Sequence, residues 1–210
     1  MGRSTDEHFE GILSKIKRLV NGWVPQFLNT AGREVLIKAI CQAIPTYSMS
    51  CFRLSRKFCK KINSVIARFF WGGDEKKQKM HWRKWRDVSI PKCEGGLGFR
   101  DMEQFNQAML VKQGWRLLYN PSSLCARVFK GKYFHSSDFM SAQKRRGSSL
   151  TWRAILHGRE ALKLGLIKRV GVVVSINAWT DPWIPENYGI RTMVKKSDTN
   201  ITMVKELMIP

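Results

Sequence analysis

Ser55-Arg56-Lys57-Phe58-Cys59-Lys60-Lys61-Ile62-Asn63-Ser64-Val65-Ile66-Ala67-Arg68-Phe69-Phe70-Trp71 is the stretch that decides the fold. Ser55 is a residue type that caps helices, and Phe58, Ile62, Val65, Ile66 and Phe69 then recur three and four residues apart. Arg56, Lys57, Lys60, Lys61 and Arg68 fall elsewhere around the same cylinder. The stretch is an amphipathic helix with separate apolar and basic sides.

Upstream, a Thr30 cap leads a second helix through Val35, Leu36, Ala39, Ile40 and Ala43 to Pro45. Before it, Ser4 and Glu7 form a capping box for Phe9, Ile12, Leu13, Ile16, Leu19 and Val20, until Asn21-Gly22 stops the pattern. Downstream, periodicity disappears between Gly72 and Gly98, where a charged loop, Trp82 and Trp85, and a Gly95-Gly96-Leu97-Gly98 turn follow in order. Asp101 with Gln104 then caps a helix whose Phe105, Ala108, Met109, Trp115 and Leu118 are expected to face inward. It ends at Asn120-Pro121. Shorter helices are expected near Ser123–Lys130 and Leu150–Leu164, the latter closed by Gly165. After Gly165 the chain turns β-branched, and 166–170 and 172–179 flank a glycine as a hairpin would.

The expected architecture is mainly α, a helical bundle followed by a short β-hairpin. Its divisions are a helical segment over 1–71, a basic Trp- and Gly-rich junction over 72–100, a second helical segment over 101–165, the hairpin and a Pro-rich turn over 166–185, and a partly disordered tail over 186–210 that holds one short helix near 203–208.

At 210 residues the chain suits one domain or two small ones. Lys and Arg number 37 against 16 Asp and Glu, a formal charge of +21, while eight Trp and eleven Phe oppose a disordered chain. Such a charge favours a polyanionic partner, nucleic acid first and an anionic membrane surface second. No apolar run approaches the roughly 18 residues of a membrane-spanning helix. Asp6, Glu7 and Glu10 argue against a transit peptide, and Gly2 followed by Asp6 breaks the myristoylation pattern. The five cysteines include no CxxC pair, so they read as buried or incidental thiols in a reducing compartment. The setting expected is intracellular, with nucleus and mitochondrion both left open. A zinc site at Cys93 and His81 would lack close ligand pairs, and no metal or other cofactor is expected.

Catalysis by phosphoryl or nucleotidyl transfer needs carboxylates converging on divalent ions, and the sequence offers no Asp-Asp pair. Asp74-Glu75 sits in a Gly- and Lys-rich loop, Asp101 and Glu103 begin a helix where the macrodipole favours acids, and Asp181 precedes a proline. His8, His81, His135 and His157 lack partners at catalytic spacing, and there is no G-x-S-x-G. The Gly95-Gly96-Leu97-Gly98 turn lacks the Lys-Ser/Thr of a phosphate loop, so its glycines are expected to supply positive φ. No catalytic residue is expected.

Binding is better supported, since 53–86 holds twelve basic residues against Asp74 and Glu75. Arg56, Lys57, Lys60, Lys61, Lys76, Lys77, Lys79, Arg83 and Lys84 are the candidate contacts to nucleic-acid phosphates. Phe69, Phe70 and Trp71 are expected in the core, while an exposed Trp could stack on a base.

Several segments together resemble the plant LINE-type (non-LTR) retrotransposon reverse transcriptases. They include Gly2-Arg3-Ser4, Ala31-Gly32-Arg33-Glu34-Val35-Leu36-Ile37-Lys38-Ala39, Ala43-Ile44-Pro45-Thr46-Tyr47, Phe70-Trp71-Gly72, His81-Trp82, Trp85 and Pro91-Lys92. Gly95-Gly96-Leu97-Gly98-Phe99-Arg100-Asp101, Phe105-Asn106, Lys112-Gln113 and Trp115-Arg116-Leu117-Leu118 follow. The series closes with Lys132-Tyr133-Phe134, Trp152-Arg153, Gly158-Arg159, Trp179 and Asp181-Pro182-Trp183-Ile184-Pro185. The chain is also similar to reverse-transcriptase-derived reading frames of plant mitochondrial genomes.

The resemblance implies the region after the polymerase palm, a thumb and connector. The palm's Tyr-x-Asp-Asp carboxylates are then expected before Gly2, and a zinc segment and ribonuclease H domain after Pro210. It implies RNA or an RNA–DNA hybrid as partner, gripped without sequence preference, and a separate palm-bearing reverse-transcriptase chain as a further possible partner. One departure is Gly171-Val172-Val173 where the family has Gly-Asp-Gly, a change that weakens a hairpin turn and fits either a remodelled hairpin or drift in a decayed remnant with no activity.

Overall fold

Side-chain caps and the apolar stripes they precede set most of the helices. The computed structural model describes residues 9–23, 27–73, 79–170, 176–179, 181, 183–184 and 201–207. Helix α1 (Glu10–Gly22) buries Leu13, Ile16 and Val20; its expected Ser4–Glu7 box lies outside the described residues. Helix α2 (Thr30–Leu36) starts one residue earlier in its cap than the sequence suggests. Asn29 accepts the Gly32 N–H at 2.7 Å, so Thr30 is already helical.

Beyond Leu36 the helix widens into a π segment, Ile37–Cys41, in which the Gln42 N–H reaches back to the Ile37 carbonyl at 2.9 Å. The wider turn sets Ile37 and Cys41 fully in the core. Burial pushes the Cys41 thiol up to about 12. Helix α3 (Thr46–Cys51) follows, then α4 (Arg56–Phe70), where the Ser55 hydroxyl accepts the Phe58 N–H at 3.1 Å as the sequence leads one to expect.

The junction contains a single-turn helix α5 (Trp85–Val88) and a 3-10 turn at Lys92–Glu94. Helices α6 (Met102–Tyr119), α7 (Leu124–Tyr133) and α8 (Leu150–Gly165) follow. Asp101 caps α6 by accepting the N–H groups of Glu103 and Gln104, and Ser123 caps α7. The chain divides into two units, 1–158 and 159–210, with the division inside α8.

In the first unit, α1, the π segment, α3, α4 and the start of α6 enclose one core. Phe58, Ile62, Ile66 and Phe69 of α4 are fully buried in it. Several of the segments that carry the family resemblance hold this core together. Arg33 donates from Nη1 to the Phe70 carbonyl at the end of α4, 3.0 Å away. Gly72, at φ 75°, follows it, and a Cβ there would stand 2.8 Å from that same guanidinium nitrogen. Lys38 donates to the Leu97 carbonyl and pairs with Glu34 at 2.7 Å, while Lys92 reaches Glu34 from the other side at 3.3 Å. Arg33 and Glu34, with Lys38 one turn beyond Glu34, thus tie α2 and the π segment to α4 and to the glycine turn.

That turn needs its glycines for two reasons. Gly95 and Gly98 have φ of 83° and 67°, and Gly96 sits so close to Ile90 that a Cβ would meet its carbonyl oxygen at 1.9 Å. Buried Asn106 receives the Leu54 N–H at Oδ1 and donates from Nδ2 to the Met49 and Phe52 carbonyls, each bond 2.9 Å long. It closes the end of α3 onto α6.

The inward face of α6 agrees in part with the one expected, since Phe105 and Met109 pack against the core and Leu118 is half-buried. Met102, Asn106, Leu110, Gly114 and Leu117 are buried, whereas Ala108 is exposed and Trp115 is 45% exposed. Asn106 sits in the buried stripe because it serves hydrogen bonds, and with Gly114 there too, apolar residues mark only part of the inward face. A second aromatic group surrounds Trp152, which is fully buried and stacks on Tyr133 with ring centres 4.7 Å apart and 3° between planes. Phe129, Phe134 and Phe139 pack around it, and the Tyr133 hydroxyl donates to Ser149 Oγ at 3.0 Å. At Gly158 a Cβ would lie 2.5 Å from the Leu110 carbonyl carbon, so only glycine lets α8 approach α6 this closely.

In the second unit the expected hairpin over 166–185 is not seen among the described residues; 171–175 lie outside them. Instead Asn177 pairs antiparallel with Met203, through Ala178 N–H to Thr202 O at 3.0 Å and Val204 N–H to Ile176 O at 2.9 Å. These two hydrogen bonds tie 176–178 to a segment distant in sequence. Asp181 accepts the Asn177 N–H at 2.9 Å and pairs with Lys168 at 2.7 Å. Burial opposes its ionisation, but the ammonium and the N–H outweigh it and hold the carboxyl below its usual range. The short helix expected at 203–208 is a 3-10 turn, Val204–Leu207, and most of the expected tail lies outside the described residues.

Candidate nucleic-acid interface

A helix repeats its face every three to four residues, so Lys57, Lys60, Lys61, Ser64 and Arg68 form one stripe along α4, roughly 16 Å long at the helical rise. This stripe flanks the buried row of Phe58, Ile62, Ile66 and Phe69, which fixes its direction. Glu10, Leu13 and Lys17 form the matching row on α1. Between them lies an open groove of about 550 Å³, lined by Glu10, Leu13, Lys17, Lys57, Lys60, Lys61, Ser64, Val65 and Arg68.

Five of these residues are cationic and one is acidic. The acid, Glu10, is held by Lys61 at 2.8 Å. Lys17, Lys57, Lys60 and Arg68 line the groove and form no ion pair among the described residues. In chemical terms the groove offers flexible ammonium donors and a guanidinium on a wall stiffened by a packed core, an arrangement suited to a row of phosphates.

The other expected contacts are placed differently. Arg56 lies at the first turn of α4, where its Nε lies 2.9 and 3.1 Å from the two Glu103 oxygens, linking α4 to α6. Its side chain stays 73% exposed, so the pair leaves it open to a ligand. Lys79, Arg83 and Lys84 are exposed before α5 and do not line the groove. Lys76 and Lys77 lie outside the described residues. Lys17 is the contact that sequence reasoning missed; its signal is its place one turn after Leu13, a pattern visible once α1 and α4 are paired.

The aromatics divide as expected for the core members. Phe69 and Phe70 are buried, Trp71 is half-buried, and Trp85 stacks on Phe99 with ring centres 4.8 Å apart. Trp82 is instead 78% exposed. Among the described residues no three His, Cys, Asp or Glu side chains converge as a metal-holding group, and no helix is long and apolar enough to cross a membrane.

No family model and no solved structure matches the chain. It is 33% identical over 214 aligned positions to an Arabidopsis thaliana protein named "Putative ribonuclease H protein", a match that takes in 99% of this chain but 34% of that one. The chain thus spans about a third of the length of this relative. It is 42% identical over 143 residues to an uncharacterized mitochondrial protein of Arabidopsis thaliana, covering 68% of this chain and 93% of that protein. The chain therefore belongs to the family of that Arabidopsis mitochondrial protein, and the two relatives together are consistent with plant reading frames of retroelement origin.

Proposed function

We propose that the chain is a non-catalytic, nucleic-acid-binding piece of retrotransposon reverse-transcriptase descent, of the LINE type, corresponding to the thumb and connector that follow the palm. The groove between α1 and α4 grips RNA or an RNA–DNA hybrid by its phosphates, without sequence preference. The observation that carries this reading is the row of Lys17, Lys57, Lys60 and Arg68 along one groove with no acidic partner among the described residues. Each phosphate neutralised there releases condensed counterions, so affinity falls steeply with salt.

The test is binding of the purified chain to a labelled RNA–DNA hybrid and to a single strand across a salt series. A linear fall of log affinity with log salt is expected, and its slope shrinks in Lys57→Glu/Lys60→Glu. Absence of binding at low salt defeats the reading. Flotation with anionic vesicles in the absence of nucleic acid would transfer the groove to a lipid partner.

A second reading, a thumb supplied in trans to a palm-bearing chain, is favoured by the exposed Trp115, Tyr119, Leu124 and Val128 on α6 and α7. Such a surface suits a protein partner. Its test is a gain of RNA-directed DNA synthesis when this chain is added to a palm-bearing chain without a thumb of its own. No gain defeats it.

A further inference from the structure

Three rings lie within five residues before and at the start of α5, and the structure treats them differently. His81 stacks on Trp71, with centres 6.2 Å apart and 26° between planes. Trp85 stacks on Phe99 at 16° and reaches Phe70 edge-on. Between these two anchors the chain bends at Trp82, whose indole is left 78% exposed.

The surroundings of that indole are cationic. Lys79, Arg83, Lys84 and Arg86 are all exposed, and none forms an ion pair among the described residues. An indole is the largest flat apolar surface a side chain offers, and here its backbone is fixed on both sides by stacked neighbours. Little conformational freedom is lost when a second flat ring lands on it. Cations on either side supply attraction for the phosphates that flank such a ring.

We propose that Trp82 is a stacking platform for an unpaired base, with Lys79, Arg83 and Lys84 holding the adjoining phosphates, so that the preferred ligand of this surface is single-stranded nucleic acid. The inference deepens the backbone-binding reading above by adding a base contact, and it rests on that reading for its ligand class. A base inside a duplex keeps its faces covered by its neighbours and cannot use the platform. An exposed strand or a single-stranded overhang can.

The decisive comparison uses three labelled ligands of equal length: a single strand, the same strand with abasic sugars throughout, and a blunt duplex. The full chain binds the base-bearing strand about tenfold more tightly than the abasic one, the scale of one base–aromatic stack. Trp82→Ala removes that difference while leaving duplex affinity within twofold and the salt slope unchanged. Trp82→Phe retains most of it. Because Trp82 is exposed, circular dichroism of both variants should match that of the parent.

Equal affinity for base-bearing and abasic strands overturns the platform and leaves backbone binding standing. A loss on Trp82→Ala that is equal for strand and duplex also overturns it, since stacking would then not be the cause. Binding of the base-bearing strand alone, abolished by Trp82→Ala, supports the platform and defeats the groove as a phosphate grip. Binding of none of the three ligands overturns both.

Discussion

Two charged regions of the first unit contrast sharply. Around α2, every charge named has a protein partner: Arg33 holds the Phe70 carbonyl, Lys38 the Leu97 carbonyl and Glu34, and Lys92 the same carboxylate. Along the α1–α4 groove, Lys17, Lys57, Lys60 and Arg68 have none among the described residues. Satisfied charges in the first region are architecture, because each removes an otherwise unpaired backbone group or fixes a helix against its neighbour. Uncompensated charges in the second cost self-repulsion in the folded chain, which a polyanion relieves. The most recognisable sequence segments belong to the first region. The proposed binding residues lie mostly outside them.

The contrast predicts that substitutions in the two regions separate stability from binding. The largest effect is expected at Asn106→Leu, which leaves the Leu54 N–H and the Met49 and Phe52 carbonyls without their partner. At about 1–3 kcal/mol for each such group, a loss of about 4 kcal/mol is expected in urea denaturation. A loss under 1 kcal/mol would mean that α6 does not need this residue as its link to α3. Next, Gly158→Ala forces α8 away from the Leu110 backbone and should cost about 1–3 kcal/mol in the same measurement. An unchanged midpoint would break the account of the close approach.

In the groove, Lys57→Glu/Lys60→Glu is expected to lower affinity for a hybrid about tenfold to a hundredfold and to reduce the salt slope by about two. Its unfolding midpoint should correspond to a change within about 0.5 kcal/mol, because both side chains are exposed. If stability falls and binding does not, the two regions have been assigned the wrong way round. Lys38→Met should do the opposite: about 1–2 kcal/mol of stability lost with the Leu97 and Glu34 contacts, and binding unchanged.

The smallest effect concerns pH. The hydrogen bond from Lys38 lowers the Glu34 pKa from its ordinary 4.5, burial opposes that, and Lys92 adds to the lowering. A carboxylate with a depressed folded pKa contributes stability that is complete above its unfolded value and is lost as the pH falls through the folded value. Glu34→Gln is therefore expected to flatten the fall in stability below about pH 4.5, by less than about 1 kcal/mol. An identical acid limb in parent and variant would remove Glu34 from the clamp's energetics.

How much of this was legible in the sequence depended on what each residue does. Ser55 and Asp101 could be read as caps because a cap acts locally, on N–H groups two or three residues away. The face of α4 was legible because its buried row is wholly apolar. That of α6 was legible only in part: Phe105 and Met109 do pack on the core, but Asn106 and Gly114 lie in its buried row and Trp115 lies outside it. Partners remote in sequence left no local sign either: Arg33 meets Phe70 across 37 positions and Lys38 meets Leu97 across 59. The α4 half of the basic groove could be seen in one segment, whereas Lys17 became part of it only when α1 packed alongside. The β-branched run after Gly165 signalled extended structure, but its observed partner, 202–204, could not be read from composition.

Burial of Cys41 has a practical consequence for following this chain in solution. With its thiol raised by burial, the folded molecule scarcely forms the reactive thiolate near neutral pH. Cys93 and Cys125 are exposed, so an alkylating reagent should mark them early and Cys41 late. The delay is a built-in clock, whose rate counts the openings of the π segment that bring the thiol to solvent.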